Sequence, residues 1–138
     1  MTQSSPKLIL VAEDDYDDYL FTVDAIQQAG FNCEIAWVQD GEELLDYLFK
    51  RGEYAALTKV PNVILMDLFM PKLNGYEALQ IIKAHPPINR IPVMVLSSSK
   101  EDDKIVKNCD FGDTVFHAKP HSPVRYVAII KELTKHLI

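Results

Sequence analysis

Short, wholly apolar runs alternate along this chain with stretches of helical spacing, and few folds accommodate that alternation. Leu8–Ala12 (LILVA) is too short for a core helix and reads as a strand buried on both faces. Helical spacing follows from Tyr16 to Ala29, with apolar residues at Tyr16, Tyr19, Leu20, Val23, Ile26 and Ala29 and a stop at Gly30. Cys33–Val38 is a second strand. Asp40 then caps a second helix that turns Leu44, Leu45, Leu48 and Phe49 inward. Patterning is weak from Arg51 to Pro61, which reads as a loop with room for a helical extension. Asn62–Met66 is a third strand, and Tyr76–Ala84 a helix closed by Pro86 and Pro87. Val93–Leu96 is a fourth strand, 101–109 a short helix, and Thr114–Ala118 a fifth strand. A last helix, Pro123–Leu137, should face inward with Val124, Val127, Ile130 and Leu133. The alternation predicts an α/β fold: a parallel sheet of five strands with right-handed crossovers. The first three strands and the fifth are expected to be buried. The 138 residues suit one domain, 1–138 with a core of about 7–137, and leave no room for an output domain.

The net charge of −6 and pI near 5.1 argue against nucleic acid as a direct partner, because duplex binding needs a basic footprint. Cys33 and Cys109 lie far apart and form no CxxC pair, which suits a reducing compartment and points to the cytoplasm. The opening MTQSSPK lacks the apolar core of a signal peptide, and no apolar run is long enough to cross a bilayer. No membrane association is expected.

The chemistry gathers just after strand ends. Glu13-Asp14-Asp15 follows the first strand, Asp67 the third, Ser97 the fourth and Lys119-Pro120 the fifth. In open parallel sheets, ligands bind outside the carboxyl ends of the strands. Several carboxylates in one cleft repel one another and call for a cation. Hard oxygen ligands suit Mg²⁺, which takes one or two carboxylates together with phosphate oxygens. A lysine ammonium and a serine hydroxyl suit phosphoryl oxygens, and an aspartate can itself become an acyl phosphate. Each feature also has a plainer reading. The run EDDYDD can be a solvated helix start, and Asp15, Asp17 and Asp18 fit that role. Ser97-Ser98-Ser99 alone can be a loop and cap, and Lys119 a snorkelling lysine. The four together favour a phosphoryl site.

Four segments carry a family resemblance: LILVAEDD, VILMDLFMPKLNGYEAL, PVMVLSSS and FHAKP. In order and spacing the chain resembles the receiver domain of two-component response regulators over nearly its whole length. The resemblance implies a doubly wound sheet of strand order 2-1-3-4-5 with helices on both faces, and a phosphoacceptor switch rather than an enzyme. It makes Asp67 the acceptor and places Mg²⁺ on Asp14, Asp67 and the backbone carbonyl of Phe69, with Glu13 the acid that usually reaches the metal through water. It makes Ser97 the switch hydroxyl, Lys119 the phosphoryl partner, Phe116 the switch aromatic and Lys119–Pro120 a cis peptide. It also implies a sensor histidine kinase as phosphoryl donor and an unidentified protein downstream. The long segment YLFKRGEYAALTKVPN and the lack of an output domain look like the small regulators that serve phytochrome-type kinases, among which homodimers are common. An aspartate-nucleophile phosphatase would often carry a second acid two residues past the acceptor. Phe69 stands there and counts against one. A degenerate receiver would have lost an acid or the lysine, and none is lost.

Overall fold

The computed structural model describes residues 7–30, 33–97, 114–120 and 122–137. Five strands form one sheet: β1 (Lys7–Ala12), β2 (Cys33–Val38), β3 (Val63–Asp67), β4 (Val93–Ser97) and β5 (Val115–Ala118). Their order is β2-β1-β3-β4-β5, and every neighbouring pair is parallel. The connecting helices are α1 (Tyr16–Ala29), α2 (Gly41–Phe49), α3 (Gly75–Lys83) and α4 (Pro123–Leu137). One 3₁₀ turn, Gly52–Tyr54, interrupts the segment read as a loop, and a second covers Ile88–Arg90. The helix expected over 101–109 lies outside the described residues.

Alternation along the strands divides the core in two. Leu10, Ala12, Ile64, Met66, Val93 and Val95 point to one face, under Leu44, Leu45 and Leu48 of α2 and Ala78, Leu79 and Ile82 of α3. Ile9, Val11, Val63, Leu65, Met94 and Leu96 point to the other, under Ala25 and Ile26 of α1 and Tyr126, Ile129 and Ile130 of α4. The three central strands are therefore apolar throughout because both of their faces are covered.

Three expectations change. Strands β1, β3 and β4 are the buried ones, whereas β2 and β5 are largely half-exposed because they form the sheet edges. On α1 the buried residues are Thr22, Ala25 and Ile26, while Tyr16 and Leu20 are exposed. The inner stripe is rotated toward a threonine that apolar periodicity does not register. On α4, Val124 is 81% exposed. Roughly 100° of rotation per residue sets it opposite the stripe of Tyr126, Ile129 and Ile130.

The helix starts follow the expected capping. Asp15, Asp40 and Asn74 each accept from the backbone N–H three residues on, and Gly30 ends α1 with φ 82°. The cis peptide among the described residues is Pro86–Pro87, not Lys119–Pro120; a tertiary amide holds either isomer at small cost, so the motif alone did not settle it.

Candidate functional site

The parallel sheet brings the carboxyl ends of β1, β3, β4 and β5 to one edge, where the predicted residues meet. Asp67 closes β3 and is only 8% exposed. Its Oδ1 accepts from the Phe69 backbone N–H at 3.1 Å, and its Oδ2 from Lys119 Nζ at 3.0 Å. Glu13, directly after β1, is 5% exposed. Its backbone N–H donates to Val38 O at 3.0 Å, and its carbonyl accepts from Trp37 Nε1 at 2.7 Å, so the end of β2 fixes it on both sides. Asp14 is exposed at the mouth of the cleft.

The loop after Asp67 is held by a close backbone approach. The Gly75 N–H donates to Leu68 O at 2.7 Å, and a Cβ at Gly75 would lie 2.6 Å from Asp67 O. Only glycine leaves that carbonyl in place, so the start of α3 and the end of β3 are fitted to each other.

Lys119 follows β5 and reaches across the edge. Its Nζ lies 2.9 Å from Glu13 Oε1, 2.7 Å from Asp18 Oδ2 and 3.0 Å from Asp67 Oδ2. Burial works against the ammonium, but the hydrogen bonds to Asp18, Glu13 and Asp67 outweigh it and hold Lys119 above the ordinary lysine value. Glu13 moves the other way from a usual carboxylate. Burial, reinforced by the Asp67 charge and opposed by Lys119, pushes it up to about 7.

Glu13, Asp14 and Asp67 bring carboxylate oxygens within 4.8 Å of one another. Among the described residues, Glu13, Asp18 and Asp67 share the Lys119 ammonium and Asp14 lies beside them, so the cleft carries excess negative charge. An all-oxygen donor set around such charge fits a hard divalent cation.

Ser97 ends β4, paired in register with Ala118, while Asp67 pairs with Leu96. Its backbone thus lies one strand from Asp67, and its side chain lies outside the described residues, as does Ser99. Phe116 is half-buried and packs against the core beneath α2 and α3. The Phe69 ring is 51% exposed beside the cleft.

Sequence reasoning missed three participants. Asp18 was read as part of a solvated helix start, yet it makes the shortest contact to Lys119. Its place four residues after Asp14 was the available signal, hidden in a run of acids. Trp37 leaves no trace in the sequence, because its role depends on the β1–β2 register. Thr22 hydrogen-bonds the Tyr126 hydroxyl in the α1–α4 interface, and burial pushes that phenol up to about 12.

Comparison with known proteins agrees with this arrangement. The response regulator receiver domain family matches residues 9–131. Response regulator Rcp1 of Synechocystis sp. is 36% identical over 101 residues, 73% of this chain and 68% of Rcp1. Across the first three curated relatives, the matched stretch spans from 68% down to 29% of their length. The structure of the phosphorylated cyanobacterial phytochrome response regulator RcpA is similar with a TM-score of 0.83 at 34% identity, covering 95% of this chain and 93% of that one. The Mn²⁺-bound form of Rcp1 gives a TM-score of 0.81 at 28% identity, covering 94% and 93%. A family match over most of the chain, a sheet of matching order and an acid–lysine cluster at its carboxyl edge make this chain a member of the response regulator receiver family of two-component signalling.

Proposed function

We propose that Asp67 accepts a phosphoryl group from a phosphohistidine of a sensor kinase, with Mg²⁺ held by Glu13, Asp14, Asp67 and the Phe69 carbonyl. The observation that carries the reading is Lys119 Nζ at 3.0 Å from Asp67 inside the acidic cluster. In the transfer, a carboxylate oxygen of Asp67 bonds to phosphorus as the bond from phosphorus to the donor nitrogen breaks. Mg²⁺, when bound, offsets charge on the phosphoryl oxygens. Lys119 donates to one of those oxygens, and the Ser97 hydroxyl to another. The Phe69 N–H fixes the carboxylate of Asp67 for attack, and the burial of Glu13 and Asp67 keeps the site low in water.

Movement of Ser97 toward the phosphoryl group opens space for Phe116, and the surface around β4 and β5 changes with it. A phosphoryl group shifts such an element only by its differential affinity for the two arrangements. The similarity to the cyanobacterial phytochrome response regulator RcpA supports a phytochrome-type kinase as donor. A cytoplasmic setting and a homodimer belong to the same proposal. Among the described residues, no helix is long and apolar enough to cross a membrane. The test is transfer of radiolabel from an autophosphorylated phytochrome-type kinase to this chain. Rapid labelling that requires Mg²⁺ is expected; absence of transfer from every such kinase would refute the partner.

A further inference from the structure

Lys119 must stay beside Asp67 through the reaction, yet two of its three carboxylate partners belong to the proposed metal set. With a cation bound, Glu13 and Asp67 would turn oxygens toward it, which would weaken their hold on the ammonium. Asp18 is outside that set. Its Oδ2 lies 2.7 Å from Lys119 Nζ, the shortest of the three contacts.

Asp18 is also well anchored. Its backbone N–H donates to Asp15 Oδ1 at 3.1 Å, and its carbonyl accepts from Thr22 Oγ1 at 2.9 Å. Thr22 in turn hydrogen-bonds Tyr126 on α4, so the first turn of α1 is tied to the helix packed beside it. Lys119, by contrast, carries its charge on a long flexible stem. An ammonium has three donors, so it can keep Asp18 with one of them while another reaches a phosphoryl oxygen.

We propose that Asp18 is a positioning residue, whose carboxylate holds the Lys119 ammonium beside Asp67 while Glu13 and Asp67 are engaged with the cation. The proposal rests on the reading of Asp67 as acceptor, and it assigns to α1 a part in phosphoryl transfer beyond its packing. An acid that served only the helix start would favour the N-terminal dipole and leave the rate alone.

The experiment measures the rate of Asp67 labelling by acetyl phosphate with Mg²⁺ in wild type, Asp18→Asn, Asp18→Glu, Lys119→Ala and the double variant Asp18→Asn/Lys119→Ala. Asparagine keeps the shape and loses the charge-assisted bond, so labelling should slow about tenfold. Asp18→Glu should recover part of the loss. In the Lys119→Ala background, Asp18→Asn should have no further effect, because the group it positions is gone. Equal or faster labelling of Asp18→Asn, or the same fold loss with and without Lys119, would overturn the proposal. Wild-type protein that labels elsewhere than Asp67 would instead overturn the reading beneath it.

Discussion

In the metal-free protein, Glu13 makes stability fall as pH rises across the neutral range. The folded carboxyl keeps its proton up to about 7, against 4.5 for the ordinary group, because burial penalises its charge. Between those values the folded state binds more protons than the unfolded chain. A raised folded pKa contributes stability that is complete below the unfolded value and lost as pH climbs through the folded one. The gap from 4.5 to about 7, at about 1.4 kcal/mol per pH unit, bounds the effect at about 3 kcal/mol. For a domain of this size, that is about 10 °C in Tm. The assay is thermal unfolding by circular dichroism, with chelator present, from about pH 5 to about pH 8, for wild type and Glu13→Gln. The amide does not titrate, so the stability difference between the two proteins should shift toward the variant by up to about 3 kcal/mol across that range. Saturating Mg²⁺ competes with the proton and should abolish the decline in wild type. Parallel pH profiles without metal would show that Glu13 keeps an ordinary carboxyl pKa and that the electrostatic account of the cleft is wrong.

Two further predictions concern the metal and the lifetime. Asp14→Ala should weaken Mg²⁺ binding at least about tenfold, whereas Asp17→Ala should leave it within about twofold, since Asp17 is a first-turn acid outside the carboxylate cluster. Titration followed by fluorescence of Trp37, whose indole N–H is bonded to the Glu13 carbonyl, would read both; equal affinities would move the metal elsewhere. Phe69 stands two residues beyond the acceptor and offers no polar group to hold a hydrolytic water, so Phe69→Asn should lose its phosphoryl group several-fold faster in Mg²⁺. Identical decay curves for variant and wild type would remove Phe69 from hydrolysis.

The fold was largely legible because both of its periodicities were strong. LILVA and VILM read as short strands covered on both sides, and their alternation with helices favoured a parallel sheet, while the burial of the fourth strand depends on its place inside that sheet. Placement of acids and lysine at strand ends then carried Glu13, Asp14, Asp67 and Lys119 into one cleft. What failed was information that depends on neighbours. The exposure of Val124 follows from how α4 is rotated against the sheet, whereas Ile130 and, in part, Val127 pack inward as apolar spacing indicated. Thr22 is buried because Tyr126 satisfies its hydroxyl, which a hydrophobic pattern cannot register. Asp18 was obscured by its own neighbours, since one acid in EDDYDD looks like the next until the lysine that selects among them is in place.

The central claim is that Asp67 carries the phosphoryl group, and mass measurement after incubation with acetyl phosphate and Mg²⁺ tests it most directly. Wild-type protein should gain one phosphoryl mass that is lost in base, and peptide mapping should place it on Asp67. Asp67→Asn, folded as judged by circular dichroism, should gain none, because an amide fits the space but forms no acyl phosphate. Undiminished labelling of Asp67→Asn would contradict the account.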